Sequence, residues 1–137
     1  MLDKTDREIL HLLKANARTQ LREIGERVHM TGQAVSNRIQ KMESMGIIKG
    51  YTVVTDETGL GKTLWAFVTV FMKTNDHASF QKFIKENEII TEANRISGDG
   101  CYLLKICAAS QEEITSFLDN LLQYGNYRIN ISIGRFK

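Results

Sequence analysis

Apolar residues in the first 50 positions recur at every third or fourth place, a spacing that predicts short amphipathic helices. The first helix begins after Asp3 or Thr5 and runs to about Ala15, and Thr5 with Glu8 has the spacing of a reciprocal capping box. Its inward positions are predicted to be Leu2, Ile9, Leu12 and Leu13. The residues that follow are polar, so this helix ends before the next apolar run begins.

Two further helices are predicted with only a few residues between them. The second runs from Leu21 to near His29, and Thr31 has a hydroxyl suited to cap the third. Gly46 ends the third helix as a left-handed cap, with Ile47 making the returning hydrophobic contact. The inward positions of these two helices are predicted to be Leu21, Ile24, Val28, Val35, Ile39 and Met42. A short helix, a tight turn and a second helix are how a chain presents a rod to the major groove of DNA.

The helical pattern ends soon after Gly46. Residues 48–54 alternate enough to be a strand, which we predict as a wing beside the helices. Gly59 and Gly61 are typical of a linker and place a boundary near residues 55–62. The predicted organisation is a winged helix-turn-helix domain over 1–50, a connecting strand and hinge over 51–62, and a second domain over 63–137.

The second domain shows alternating strands and helices. Strands are predicted over 64–73, 90–97, 102–108 and 127–135, the last with Ile129, Ile131 and Ile133 on one side. One helix is predicted after Asp76, with Phe80, Phe83 and Ile84 inward. The other follows a capping box of Ser110 and Glu113, with Ile114, Phe117, Leu118, Leu121 and Leu122 inward. The order βαββαβ predicts a ferredoxin-like α/β sandwich with both helices on one face of an antiparallel sheet, and an α+β class for the whole chain.

The first strand of this sheet is apolar on both faces. Trp65, Phe67 and Phe71 alternate with Leu64, Ala66, Val68 and Val70. Two helices can cover only one face, and an exposed apolar face marks a protein interface. A second copy related by a two-fold axis is the simplest cover, so we predict a homodimer built by the second domain.

Polar residues of the third helix are suited to DNA. Amides both donate and accept hydrogen bonds and therefore fit base edges, whereas cations fit phosphates or guanine. The predicted DNA-binding residues are Gln33, Ser36, Asn37, Arg38, Gln40 and Lys41. A solvated helix face is the alternative for any one of them, and Arg38 has the further alternative of tying down the wing.

The charge distribution agrees with a local DNA contact. The net charge of the chain is only +2, but residues 1–50 hold nine Lys and Arg against six Asp and Glu. We find no apolar run that could span a bilayer and no signal peptide, and only two cysteines are present. We therefore expect a cytoplasmic, nucleoid-associated protein with no membrane partner.

Other candidate chemistry is weak. Residues 56–63 end like a phosphate-binding loop, but Asp56 replaces the first glycine and a strand follows where a helix is needed. Cys101 and Cys107 lack further ligands, and the three histidines are scattered, which disfavours a metal site. No paired carboxylates or nucleophile with its base is recognisable, so we expect neither an enzyme nor a cofactor.

A glycine-rich turn is predicted between the second and third strands of the second domain. Its residues are Gly98, Asp99 and Gly100. Backbone amides at such a turn can hold a carboxylate where two subunits meet, which makes this a candidate effector site. A plain hairpin is an equal alternative.

The chain resembles the Lrp/AsnC, or feast/famine, family over nearly its whole length. The resemblance is carried by Leu2-Asp3 with Asp6 and Ile9-Leu10, Arg18, Ile24-Gly25 with Val28, Ala34-Val35 with Arg38, Gly46-Ile47-Ile48, Gly50-Tyr51 and Gly98-Asp99. It implies a winged helix-turn-helix joined to a RAM- or ACT-like effector domain that dimerises and assembles to tetramers or octamers. It also implies transcriptional regulators that bend or wrap DNA, some of them tuned by an amino acid. The chain departs from the family at Gly100-Cys101, where an aspartate is common, and in having no proline after Asp56.

Three classes of function are therefore distinguished. The first is a sequence-specific transcriptional regulator that binds double-stranded DNA and responds to an amino acid, and this is the one we favour. The second is a nucleoid-architecture protein that binds through backbone charge and DNA curvature with little base readout. The third is a free-standing amino-acid sensor. Competition between specific and random DNA separates the first two classes, and a DNA shift assay separates both from the third.

Overall fold

Three helices form the first of two units, Met1–Val54, in a computed structural model that describes every residue of the chain. They are α1 (Lys4–Ala15), α2 (Leu21–Val28) and α3 (Gly32–Ser44). Their core consists of Ile9, Ile24, Val35, Ile39 and Met42. The predicted inner face of α3 is thus confirmed. Leu21 is 41% exposed, so its inward prediction is wrong: it occupies the first position of α2, and only Ile24 and Gly25 of that helix are buried.

The start of α1 is capped by two aspartates rather than by Thr5 and Glu8. Asp3 Oδ1 accepts a hydrogen bond from the Asp6 amide at 2.8 Å, and Asp6 Oδ2 accepts one from the Asp3 amide at 3.1 Å. This reciprocal pair satisfies amides that the helix itself leaves without partners. The predicted capping box at Thr5 is wrong because Thr5 already lies inside the helix, whereas the start after Asp3 is confirmed.

The end of α3 follows the predicted glycine cap. Gly46 has a φ of 71°, its amide donates to the Glu43 carbonyl, and the Ile47 amide donates to the Met42 carbonyl. These two bonds close the helix in the manner of a Schellman motif. The returning contact comes from Ile48, which packs against the core, while Ile47 is 39% exposed.

The predicted wing strand over residues 48–54 is wrong. The segment has no strand structure, because the first unit contains no other strand with which it could form a ladder. Val53 and Val54 are 81% and 97% exposed. Tyr51 returns to α3 through its hydroxyl, which donates to Glu43 Oε1 at 2.8 Å.

The second unit, Thr55–Lys137, is the predicted βαββαβ sandwich. Its elements are β1 (Leu64–Met72), α4 (His77–Glu86), β2 (Ile90–Arg95), β3 (Tyr102–Ala108), α5 (Gln111–Leu121) and β4 (Gly125–Ile131). The strands are antiparallel in the order β2-β3-β1-β4, which is the ferredoxin-like arrangement. Asp76 caps α4 through the Ser79 amide, as predicted. None of the helices in either unit is long and apolar enough to cross a membrane.

Several strand bounds in this unit differ from the prediction, since β1 ends at Met72, β2 ends at Arg95 and β4 begins at Gly125. The last strand ends at Ile131, which pairs with Ala66 near the start of β1, and Ile133 is fully exposed. The Ser132 amide still donates to the Trp65 carbonyl at 2.8 Å, but β1 begins at Leu64, so no strand residue lies opposite residues 134–135. Leu122 is the C-cap of α5 and is 41% exposed, so its inward prediction is also wrong. Ser110 caps α5 as predicted, but the Glu113 carboxylate accepts from the Ala109 amide instead of the Ser110 amide.

The sheet has one covered and one uncovered face. Ala66, Val68 and Val70 of β1 are fully buried in the core with α4 and α5 residues such as Phe80 and Leu121. The opposite face carries Trp65, Phe67, Thr69 and Phe71 of β1 beside Leu103 and Lys105 of β3. Phe67 is 40% exposed and Leu103 is 37% exposed. We call this second surface the open sheet face.

Candidate nucleic-acid interface

A stripe of polar side chains follows one side of α3. We define the recognition stripe as Gln33, Ser36, Asn37, Gln40 and Lys41. Their spacing of i, i+3, i+4, i+7 and i+8 places them on one helical face. All are exposed except the half-buried Ser36, while Val35, Ile39 and Met42 anchor the opposite face. The core therefore orients the stripe towards solvent.

The stripe carries donors, acceptors and one cation. Gln33 Nε2 donates to Asn37 Oδ1 at 3.0 Å, so these two amides are arranged as a pair. Lys41 forms no ion pair with any carboxylate. Paired amides next to a free ammonium can serve base edges and a phosphate from the same face.

Arg38, the sixth residue predicted to bind DNA, is placed differently. Its Nη1 lies 2.6 Å from Asp3 Oδ2 and 2.9 Å from Asp6 Oδ1, which joins α3 to the start of α1. The Arg38 side chain is 29% exposed, and that of Asp6 only 2%. The structure thus groups Arg38 with α1 and not with the recognition stripe.

This ion pair shifts the pKa values of Asp3 and Arg38. The hydrogen bond from Arg38 holds the pKa of the Asp3 carboxyl below its ordinary value, with the Asp6 amide adding to the effect. The same contacts, first with Asp3 and then with Asp6, raise the pKa of the Arg38 guanidinium. The hydrogen bond to Glu43 raises the pKa of the Tyr51 hydroxyl. Each of these bonds therefore favours the ionisation state that it needs.

In the turn between α2 and α3, the backbone after α2 packs closely against α2 itself. Gly25 of α2 lies against the carbonyl of Met30, where a Cβ atom would collide, and its own carbonyl accepts from the Met30 amide at 2.8 Å. His29 makes the reversal with a left-handed φ of 58°, a conformation rare for residues other than glycine. Together they bring α3 tightly onto α2.

The starts of α2 and α3 consequently lie side by side. A Cβ on Gly32, the first residue of α3, would lie 3.5 Å from the backbone nitrogen of Arg22. The α2 N-cap residue, Gln20, makes no side-chain cap, so the first amides of α2 remain without side-chain acceptors. Amides at a helix start attract phosphate oxygens. No pattern in the sequence predicts that the two helix starts meet, although Gln20 is not a residue type that usually caps a helix.

Several cations around the helices lack carboxylate partners. They are Arg7, Lys14, Arg18, Lys41 and Lys49. By contrast, Arg22 and Arg27 pair with Glu26 and Glu23 along α2. The unpaired set explains how a net charge as small as +2 can still leave the first unit locally basic.

The candidate effector turn is a surface hairpin connection. Gly98 and Gly100 both have left-handed φ angles, of 84° and 91°, and Asp99 is exposed. A side chain at residue 100 would collide with Thr69 Cγ2, so this glycine permits the turn to approach β1. The Cys101 amide donates to the Val70 carbonyl and continues that approach. The turn is therefore held against the sheet by backbone contacts.

The open sheet face combines aromatic rings with cations. Lys105 Nζ lies 4.9 Å from the ring centroid of Trp65, and Arg128 Cζ lies 5.7 Å from that of Phe71. Trp65, Phe67 and Lys105 also line a cavity of about 480 Å³ that residues 55–58 and 132–135 complete. This face is neither covered by a helix nor dominated by polar groups.

The remaining candidate residues from the sequence do not come together as a site. Cys101 and Cys107 are free thiols, and burial raises the pKa of Cys107. The structure contains no group of three or more His, Cys, Asp or Glu side chains that could hold a metal. The segment that ends like a phosphate-binding loop forms a turn that leads into β1.

The recognition stripe, the tight turn and the paired helix starts define a DNA-binding protein of the helix-turn-helix class. Residues 2–43 match the AsnC-type helix-turn-helix domain, and residues 65–137 match the Lrp/AsnC ligand binding domain. The chain belongs to the Lrp/AsnC family of transcriptional regulators, which confirms the resemblance found in the sequence. It is therefore a regulator and not an enzyme.

Individual relatives match this chain over nearly its whole length. The HTH-type transcriptional regulator LrpB of Bacillus subtilis is 52% identical over 136 residues, which cover 99% of this chain and 91% of LrpB. LrpA of the same organism is 34% identical over 98% of this chain and 100% of its own length. The structure of Bacillus subtilis LrpC matches with a TM-score of 0.94 and 31% identity, over 100% and 98% of the two chains.

A further solved structure includes a ligand. It is a transcriptional regulator from Neisseria meningitidis in complex with L-Met, with a TM-score of 0.94 and 25% identity over 100% of this chain and 93% of that one. The α+β fold predicted from the sequence is confirmed by these matches.

Proposed function

We propose that this regulator reads specific DNA sequences by inserting the recognition stripe of α3 into the major groove. The observation that carries the proposal is the continuous exposed polar face of α3, opposite an apolar face that is anchored in the core. The amides of Gln33, Asn37 and Gln40 would contact base edges, with the hydroxyl of Ser36 beside them. Lys41, which has no carboxylate partner, would contact a phosphate.

The starts of α2 and α3 would hold the backbone of the duplex. The uncapped amides of α2 lie next to the first residue of α3, so one phosphate can approach both helix starts. The exposed and unpaired Arg18 and Lys14 add positive charge to the same unit. These contacts would fix the register in which the stripe meets the bases.

We further propose that the working form is a homodimer joined through the open sheet face. Phe67 and Leu103 are apolar and more than a third exposed there, although they lie at the centre of a sheet. A two-fold axis would bury both copies of the face and bring two copies of α3 to half-sites about one helical turn, or a multiple of it, apart. Assembly of such dimers into tetramers or octamers is the larger form that we expect.

We propose an amino acid as the effector of the second unit. Support comes from the match to a ligand binding domain and from the L-Met complex of the Neisseria meningitidis regulator. The turn at Gly98, Asp99 and Gly100 is the candidate site, because its two glycines have the positive φ angles found in anion-binding turns and the Asp99 carboxylate between them is exposed. Since DNA is the proposed partner, we expect the protein to work in the cytoplasm on the nucleoid.

Selection of bound fragments from genomic DNA, with and without a mixture of amino acids, tests these proposals together. Enrichment of a shared sequence, with half-sites spaced by whole helical turns, is the expected result. Affinity for selected and random duplexes is then compared over a salt series, because phosphate contacts alone bind all sequences equally. Equal affinity for both would identify a nucleoid-architecture protein and refute sequence-specific regulation.

A further inference from the structure

We infer that Arg38 is a positioning residue for DNA recognition, which with Asp3 and Asp6 fixes the orientation of α3 and does not itself contact DNA. The inference rests on the proposed role of the recognition stripe. The supporting observation is that Arg38 Nη1 lies within 2.9 Å of carboxylate oxygens of both Asp3 and Asp6, at the start of α1. We call this arrangement the aspartate clasp.

Every carboxylate oxygen of the aspartate clasp has a partner. Asp3 uses Oδ1 for the Asp6 amide and Oδ2 for Arg38, while Asp6 uses Oδ2 for the Asp3 amide and Oδ1 for Arg38. The capping box of α1 and the link to α3 therefore share the same two side chains. A change that breaks one of these functions disturbs the other.

Because Asp6 is buried, its negative charge needs partners within the clasp. Its side chain is 2% exposed, so its charge depends on Arg38 and on the Asp3 amide for compensation. Arg38 in turn is separated from Asp3 by 35 residues, so the clasp joins parts of the chain that are distant in sequence. Both bonds come from Nη1, which carries two N–H donors, so one terminal nitrogen of the guanidinium bridges the two carboxylates.

The clasp acts directly on the stripe because Arg38 is part of the same rigid helix. Arg38 directly follows Asn37 and precedes Lys41 by less than one turn. A helix held only by Val35, Ile39 and Met42 can still rotate or slide by small amounts on its apolar contacts. A directional ion pair at one side limits that motion, and base readout tolerates only small misplacements.

The competing role for Arg38 is a direct phosphate contact. The two roles differ in measurable ways, because a phosphate contact contributes to the salt dependence of binding and acts equally on all sequences. A positioning residue leaves the salt dependence unchanged and alters the preference for one sequence over another. A residue that only stabilises the fold changes neither, once the protein is fully folded.

The experiment compares Arg38→Met, Asp6→Asn and their combination with Lys41→Met as the matched control on the same helix. Each variant is titrated with the duplex selected from genomic DNA and with a random duplex, over a salt series. Circular dichroism fixes a temperature at which each variant is fully folded. Because Asp6 is left without its partner in Arg38→Met, the combined variant keeps the test available if that single variant fails to fold.

The clasp predicts that Arg38→Met and Asp6→Asn each lower the ratio of selected to random affinity about tenfold, or roughly 1.4 kcal/mol. Their salt slopes stay at the wild-type value, and the combined variant is no worse than either single one. Lys41→Met is expected to reduce the slope by about one and to leave the ratio unchanged. A reduced slope in Arg38→Met with normal binding by Asp6→Asn would overturn the inference in favour of a phosphate contact. Wild-type affinity for both duplexes in the fully folded Arg38→Met and Asp6→Asn variants would overturn it in favour of a purely structural role.

Failure of the proposed function has a different outcome. If the wild-type protein binds no duplex at low salt, the DNA-binding proposal fails and the positioning role fails with it. Thermal unfolding of the wild type, Arg38→Met, Asp6→Asn and the combined variant still tests whether the three residues of the clasp form a coupled unit. Independent, additive losses of stability for Arg38→Met and Asp6→Asn would show that the clasp is not a coupled unit.

Discussion

At the scale of single residues, Gln40 has the clearest expected role in base recognition. It is exposed on the recognition stripe, and its amide can both donate and accept. Gln40→Ala is expected to lose about 1–3 kcal/mol of discrimination at one base pair and to keep its affinity for random DNA. Affinity for a set of duplexes substituted at each position in turn measures this. Gln123→Ala, an exposed glutamine of the second unit, is the matched control, and a uniform loss on every duplex would contradict the prediction.

A second prediction at this scale concerns acid stability. Asp3 has a lowered pKa, chiefly through Arg38, and Asp76 has a lowered pKa through the hydroxyl and amide of Ser79. In both cases the folded state favours the charged carboxylate, so the stabilisation is complete above the ordinary pKa of 3.8. It is lost as the pH falls below that value through the lowered pKa.

Unfolding by urea at a series of pH values tests this expectation. Asp3→Asn and Asp76→Asn should each be less stable than wild type above pH 4 and should lose less stability on acidification. Glu112→Gln, an exposed carboxylate in the first turn of α5, is the control for general charge removal. Parallel pH profiles for wild type and Asp3→Asn would contradict the role assigned to the Asp3 carboxylate.

At the scale of elements, two glycines of the helix-turn-helix should respond in opposite directions to alanine. A Cβ at Gly25 collides with the backbone carbonyl of Met30, whereas at Gly32 its nearest neighbours lie at ordinary contact distances of 3.5 Å or more. Gly25→Ala is expected to destabilise the unit by roughly 1–3 kcal/mol. Gly32→Ala is expected to be neutral or to stabilise by up to about 1 kcal/mol, because alanine favours the helical backbone. Urea unfolding measures both, and equal effects would contradict the packing described for the turn.

The elements also show what sequence patterns can predict. The inner faces of α3 and α5 were predictable because apolar periodicity reports burial directly, as at Val35 and Ile114. The cap of α1 was less certain, since Asp3 and Thr5 are both good capping residues and only the contacts with Asp6 and Arg38 distinguish them. The wing over residues 48–54 was wrong because alternation reports strand propensity and cannot supply a pairing partner.

The recognition stripe was largely predictable for a similar reason. Five of the six predicted residues lie on one helical face, and Arg38 departs from their i, i+3, i+4, i+7, i+8 spacing. Its partners, Asp3 and Asp6, lie on another helix more than 30 residues away, and no local pattern links them to it. The side-by-side starts of α2 and α3 likewise depend on a tertiary contact at Gly32.

At the scale of the whole molecule, the open sheet face predicts self-association. Phe67→Glu places a charge at an exposed aromatic position on that face and is expected to convert the assembly to single chains. Leu122→Glu is the matched control, because Leu122 is equally exposed at 41% but lies at the end of α5 on the helical side. Sedimentation over a concentration series measures the masses. Single chains in the wild type, or equal disruption by both variants, would contradict a dimer formed through this face.

The position of Trp65 on the open sheet face gives the molecule a built-in optical reporter. Trp65 is the only tryptophan of the chain, and Lys105 lies over its ring. Its indole is half-buried when the chain is alone, and it would lose its remaining contact with water if another surface covered it. Its fluorescence emission should then move to shorter wavelengths as concentration rises, so the unlabelled protein can report its own association constant.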